Sequence, residues 1–186
     1  ESSSWKRISV NGASTMAGSR SISPKIRVST IANMKHLLMV YHSQSGSTEA
    51  MAAAVIDGAS DPAIEGIELR ILTPLDASVD DVLWADGIIL GTPENFGYMS
   101  GALKYFFDHI YYPCLEHTQG LPYVLFVKAG NDGSGALASV KRLVTGLRWR
   151  EVQEPIVVVG DLQPAQIEAC RELGMALAAG LEAGLF

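Results

Sequence analysis

Between Tyr41 and Thr48 the chain reads Tyr-His-Ser-Gln-Ser-Gly-Ser-Thr, with hydroxyls at Ser43, Ser45, Ser47 and Thr48 around Gln44 and Gly46. Such residues can hold a phosphate monoester. The glycine lets the backbone turn tightly, and the hydroxyls add neutral donors. A helix starting here adds unpaired N–H groups and the positive end of its dipole. The phosphate would be held without Lys or Arg, since neither occurs in the stretch. A Ser-rich turn also makes a plain helix cap, so this stretch alone leaves both readings open. A second stretch, Gly91-Thr92-Pro93-Glu94-Asn95-Phe96-Gly97-Tyr98, suits a flat ligand. Gly97 lets backbone come close, Phe96 and Tyr98 offer aromatic faces or edges, and Thr92, Glu94 and Asn95 suit polar ring edges. The competing reading is a surface turn whose aromatics cover the core.

Several other chemistries lack their residues. A P-loop needs a Lys that the first stretch does not have, and a dinucleotide fingerprint needs Gly-x-Gly-x-x-Gly there. A nucleophile elbow, Gly-x-Ser-x-Gly, occurs nowhere. A phospho-receiver would place acids where His42 and Ser43 stand. Two cysteines, Cys114 and Cys170, support neither a disulfide framework nor a cysteine-based zinc site. His42 suits ligand approach or half-buried packing. Asp108 suits acid–base work or local backbone support, and His109, read as following a helix, suits the dipole at its end. Cys114 reads as a small core or loop residue before a redox one. Residues 110–122 read as a loop shaping a substrate pocket or a dimer contact, with Trp84, Trp149 and Tyr111 in the core or an interface.

The elements around these stretches alternate. Apolar runs at 37–41, 67–72, 87–90, 123–127 and 155–159 read as strands. Helical spacing predicts helices over 47–59, 79–85, 100–110 and 136–147, and over a last segment opened by Pro164. Alternating βα units specify a parallel sheet with helices on both faces. Five strands suggest a doubly wound α/β sheet of order 2-1-3-4-5, with ligand at the carboxyl ends of the first and third strands. The two chemical stretches follow those two strands, which favours the ligand reading of both.

Length and composition agree with one domain. The chain has 186 residues, 48% hydrophobic and 18% charged, with net charge −6. No apolar run is long enough to span a membrane. The acidic balance argues against a nucleic-acid partner. Residues 1–33 are Ser-rich and hold five basic residues against Glu1; residues 34–186 hold nine basic against nineteen acidic. Residues 1–33 therefore read as an extension outside the fold (a leader, a tag or a transit-like segment), with the domain over 34–186. The acidic surface suits solubility or docking of a basic redox partner.

Residues 43–48 resemble the FMN-phosphate loop of flavodoxins, Thr/Ser-x-Thr/Ser-Gly-x-Thr. Residues 91–108 resemble the second FMN loop and following helix of flavodoxin-like quinone reductases and NAD(P)H-dependent FMN reductases. Thr92, Pro93, Phe96, Gly97, Gly101, Leu103, Lys104, Phe106 and Asp108 match that pattern. The resemblance covers nearly all of 34–186 and implies a flavodoxin-like fold with FMN as cofactor. It implies that Ser43, Gln44, Ser45, Gly46, Ser47 and Thr48 hold the phosphate. Thr92, Pro93, Glu94, Asn95, Phe96 and Gly97 would run along the isoalloxazine. Ala129, Gly130, Asn131, Asp132 and Gly133, in a Gly-rich third loop, would approach its pyrimidine end. It implies an NAD(P)H-dependent oxidoreductase passing electrons through flavin N5 to a quinone or flavin acceptor, with no protein nucleophile and a homo-oligomer among the assemblies expected; the location expected is the cytoplasm, or an organelle if residues 1–33 are a native transit segment. Electron-carrier flavodoxins usually sandwich the ring between aromatics, with a Tyr in the third loop, and this third loop has none. An open ring face favours hydride transfer over a pure carrier. A carrier docking protein partners, and a scaffold that has lost FMN, are the alternatives.

Overall fold

A computed structural model describes residues 34–186; the extension expected over residues 1–33 lies outside them. β1 (Lys35–Tyr41) leads into α1 (Ser47–Ala59), and β2 (Ile67–Leu72) into α2 (Val79–Trp84). β3 (Gly87–Asn95) runs through the short β4 (Tyr98–Met99) into α3 (Gly101–Cys114). β5 (Pro122–Ala129) precedes α4 (Ser134–Gly146), and β6 (Arg150–Glu151) and β7 (Ile156–Val159) precede α5 (Pro164–Glu182).

The sheet path is β2-β1-β3-β5-β6, with β7 also paired to β5 and β4 antiparallel to β3. The α/β class with helices on both faces is the one that the alternation predicts. The five expected strands pair in the expected order, as β2-β1-β3-β5-β7, and the short β4 and β6 add to it. β4 is a hairpin return within a segment that periodicity reads as loop. The outer edge is split: β6 pairs with Pro122 and Tyr123, and β7 pairs with residues 126–129. Pro155 stands in the gap, and a proline has no N–H to continue a ladder.

Both faces of the sheet are covered, which explains the unbroken apolar runs. In β1, Leu37 and Met39 enter one core with Met51 and Val55 of α1 and Leu173 and Leu177 of α5. Leu38 and Val40 enter the other, with Val82 of α2, Phe106 and Phe107 of α3 and Val140 of α4. The period of two along a strand thus feeds two cores from one segment. α1 and α5 meet at glycines: a Cβ on Gly174 would fall 2.0 Å from the Val55 carbonyl oxygen.

α3 is longer than expected. It continues through Pro113 to Cys114, so the residues read as the start of a loop at 110–122 are helical. Pro113 sits next to the last residue, where a missing N–H forfeits one bond and leaves the turns before it intact. His109 therefore lies within the helix rather than after it, stacked on Tyr105 with centroids 6.4 Å apart. Asp108 pairs with Lys104 at 2.5 Å. Cys114 is fully buried, and burial pushes its thiol up to about 11. Trp149 is core, its Nε1 donating to Thr118 Oγ1 at 2.9 Å.

Parallel pairing brings the carboxyl ends of three central strands together. Gly91 of β3 is in register with Tyr41 of β1 on one side and Phe126 of β5 on the other. The loops leaving these ends form the site.

Candidate functional site

The first loop turns at Gly46, whose φ of 89° favours glycine, and enters α1. Ser43 Oγ accepts from the N–H groups of Gly46 and Glu49, both at 3.2 Å. Ser43 thus closes the loop on itself as a helix cap. Among the described residues no acceptor meets the N–H groups of Ser47 and Thr48. They stand free at the positive end of a 13-residue helix. Tyr41 supports the loop from below: its hydroxyl donates to Glu49 at 2.9 Å, and burial first, then this bond, pushes its pKa up to about 12.

The second loop is a tight hairpin. β3 extends to Asn95, the chain reverses at Phe96 and Gly97 (φ 53° and 70°), and β4 returns. Two successive positive φ angles give the turn whose twist matches paired strands. Gly97 is there for that turn, and nothing lies within 4 Å of the Cβ it lacks. Phe96 projects into solvent at 107% exposure, away from any core. Thr92 points inward: fully buried, it accepts from the Ser100 N–H at 2.9 Å and donates to the Pro93 carbonyl.

Two side chains tie the loops together. Asn95 Nδ2 donates to Gln44 Oε1 at 3.1 Å, joining second loop to first. The Glu94 carboxylate accepts from Gly133, Gly135 and Ala136 N–H groups at 3.1, 3.1 and 3.2 Å. Glu94 therefore caps α4 from another loop, where the helix dipole favours an anion. Asp132 closes the third loop: its carboxylate accepts from the Ser134 hydroxyl and N–H, bonds that hold its pKa below the usual range.

A cavity of about 340 Å³ opens among these loops. Its walls are Gln44, Ser45, Ser47 and Thr48 from the first, Pro93, Glu94 and Asn95 from the second, and Lys128, Ala129 and Gly130 from the end of β5. No aromatic lines it. The hydroxyls of the first loop and the tip of β5, Lys128 to Gly130, share this one cavity. The residues present fit an elongated, phosphate-bearing ligand with polar edges.

A family model described as NADPH-dependent FMN reductase matches residues 37–162. The chain belongs to this family. A flavodoxin from Aquifex aeolicus (strain VF5) is 30% identical over 161 residues, covering 78% of this chain and 86% of that protein. An NAD(P)H dehydrogenase (quinone) from Acidithiobacillus ferrooxidans is 32% identical over 95 residues. The match covers 40% of this chain and 46% of that enzyme, so the chain spans less than half of its length. Among solved structures, a flavodoxin from the domain Archaea superposes with TM-score 0.68 at 20% identity, covering 79% of this chain and 99% of that one; it shows the shared fold.

Within this flavodoxin-like, FMN-binding family, the expected site residues fall into two groups. Gln44, Ser45, Ser47, Thr48, Pro93, Glu94, Asn95, Ala129 and Gly130 line one cavity. Ser43, Gly46, Thr92, Phe96, Gly97, Asn131, Asp132 and Gly133 do not. Ser43, Thr92 and Asp132 hold backbone, Gly46, Gly97 and Gly133 supply positive φ, Phe96 faces solvent, and Asn131 is exposed. Glu94 lines the cavity, but its carboxylate is engaged by α4. One cavity residue escaped the sequence reading. Lys128 follows an apolar strand and precedes a Gly-rich loop, and a lone Lys at a strand end carries no motif. His42 Nδ1 is buried without a partner, and His42 is not among the cavity residues. Among the described residues, no group of three or more His, Cys, Asp or Glu is placed to hold a metal, and no helix is long and apolar enough to cross a membrane.

Proposed function

We propose that this protein binds FMN in the 340 Å³ cavity and works as an NAD(P)H-dependent oxidoreductase with a quinone or flavin acceptor, in the cytoplasm. The observation that carries the reading is the aromatic-free wall of the cavity. With Phe96 turned to solvent and no aromatic in the third loop, one face of a flat ligand stays reachable by a second small molecule. FMN, when bound, supplies the redox chemistry itself. The protein's part is to bind and orient. Ser45, Ser47 and Thr48 hold the phosphate end, and backbone of Pro93 and Asn95 and of Ala129 and Gly130 meets the polar edges. Asn95–Gln44 and Glu94–α4 bonds fix the three loops relative to one another.

The acidic surface favours a second reading, an electron carrier that docks a basic protein partner. Anaerobic addition of NADPH or NADH to the FMN-loaded protein separates the two. Bleaching of the flavin bands within seconds, followed by reoxidation on adding a quinone, is the expected result. Bands that persist with both nucleotides, yet bleach when a protein reductase is added, would replace the reductase with the carrier.

A further inference from the structure

Residues 34–186 carry nine Lys and Arg against nineteen Asp and Glu. Six of the nine are ion-paired: Lys35, Arg70, Lys104, Lys141, Arg148 and Arg171. Arg150 lies over the Phe186 ring at 5.5 Å. Of the two left, Arg142 is outside the cavity and Lys128 is one of its walls. In so acidic a chain, an ammonium in a cavity without a carboxylate partner calls for an anion from elsewhere. Its Nζ donates to an uncharged acceptor, the Ala129 carbonyl, at 3.1 Å. Glu94 shares the cavity but makes no ion pair with Lys128, its carboxylate oxygens being turned to three N–H groups of the third loop and α4.

The strand period says which face of the sheet Lys128 lies on. Phe126 packs into the core under α1 and α5, whereas Leu125 and Val127 face the opposite core. Alternation puts Lys128 on the Phe126 face, the side of the sheet that carries α1. Ser47 and Thr48, whose N–H groups meet no acceptor among the described residues, line the cavity from the start of that same helix. We propose that Lys128 is a phosphate-binding residue, adding one positive charge to a phosphate monoester seated on Ser45, Ser47 and Thr48. This rests on the FMN reading above and changes it: the phosphate is not held by neutral donors alone. A phosphate monoester carries between one and two negative charges at neutral pH, so a flexible ammonium beside free N–H groups gains more from it than from a carbonyl.

The test compares apoprotein of the wild type, Lys128→Gln, Lys128→Arg and the control Arg150→Gln, titrated with FMN and with riboflavin, which lacks the phosphate. Lys128→Gln should weaken FMN on the order of tenfold, a charged hydrogen bond's worth, and leave riboflavin unchanged. Lys128→Arg should restore most of the loss, and Arg150→Gln should alter neither. FMN affinity should also fall with salt more steeply for the wild type than for Lys128→Gln. An equal loss for FMN and riboflavin would place Lys128 at the ring or in the scaffold and overturn the proposal, as would no loss at all. Inorganic phosphate separates this from failure of the cofactor reading. If the wild type binds neither flavin, yet phosphate raises its melting temperature and not that of Lys128→Gln, the anion site stands while FMN falls. If phosphate has no differential effect, both fall.

Discussion

Glu94 is the residue whose role changes most between sequence and structure. Its type and place suggest a contact to a ring edge. Its carboxylate instead spans from the second loop to the first turn of α4, accepting three backbone N–H bonds. Glu94→Gln leaves one oxygen acceptor and turns an amide against N–H groups, so isosteric replacement should still release the third loop. The expected result is faster hydrogen exchange at Gly133, Gly135 and Ala136 in the apoprotein, and on the order of tenfold weaker FMN binding. Unchanged exchange at those amides would show that the tie does not hold the loop. What sequence conveyed at this scale was the cavity's neighbourhood. Hydroxyls and glycines mark it because they follow the two strands that flank the point where the strand order reverses. It could not separate residues that face a ligand from those that hold backbone. Ser43 and Thr92 have the same hydroxyl chemistry as Ser45 and Thr48, and only the direction of each side chain distinguishes them.

At the scale of elements, the long periodic segments were legible because each feeds a core at its own period: two for β1, and the helical period for α1, α4 and α5. The unread parts lack such a signal. β4 and β6 are two residues each, too short to show a period. The end of α3 is masked by Pro113, which signals a break that its position near the helix end makes inexpensive. The α1–α5 contact likewise has no signature in the periodicity, since small residues mark it only once the helices are known to be adjacent. Gly174→Ala tests it. The added methyl meets the Val55 carbonyl and the Ala59 N–H, both backbone, so no side chain can yield. Despite the better helix propensity of alanine, the variant should lose about 1–3 kcal/mol in urea unfolding, as overpacked sites do. A variant as stable as the wild type would mean that α5 shifts freely on α1.

For the whole molecule, the titrating groups bound a pH range of stability on both sides. On the acid side, Asp61, Asp81 and Asp132 are held below the usual 3.8. The Ala63 N–H and Arg171 act on Asp61. For Asp81, burial opposes the shift and is outweighed by bonds from Ser78 and Arg70. Groups with lowered native pKa values bind protons more readily unfolded, so their stabilisation is present above the unfolded value and lost as pH falls through the native one. On the alkaline side the sign reverses. Burial raises the Cys114 and Cys170 thiols from 9.0 to about 11, and Tyr41 goes from 10.0 to about 12. The native state keeps these protons longer than the unfolded chain does. Stability from these groups is therefore complete below about pH 9 and lost as pH rises through their native values. Melting temperature should be flat between about pH 5 and 8 and fall beyond both limits. Tyr41→Phe removes one titrating group and its bond to Glu49. It should lower the plateau slightly and make the fall above pH 10 shallower, since one proton difference between the states disappears. An alkaline limb as steep in Tyr41→Phe as in the wild type would assign that limb to the buried thiols and to Tyr123, whose hydroxyl burial and a bond to Glu151 also raise, and would leave Tyr41 as a support for the first loop without a part in pH stability.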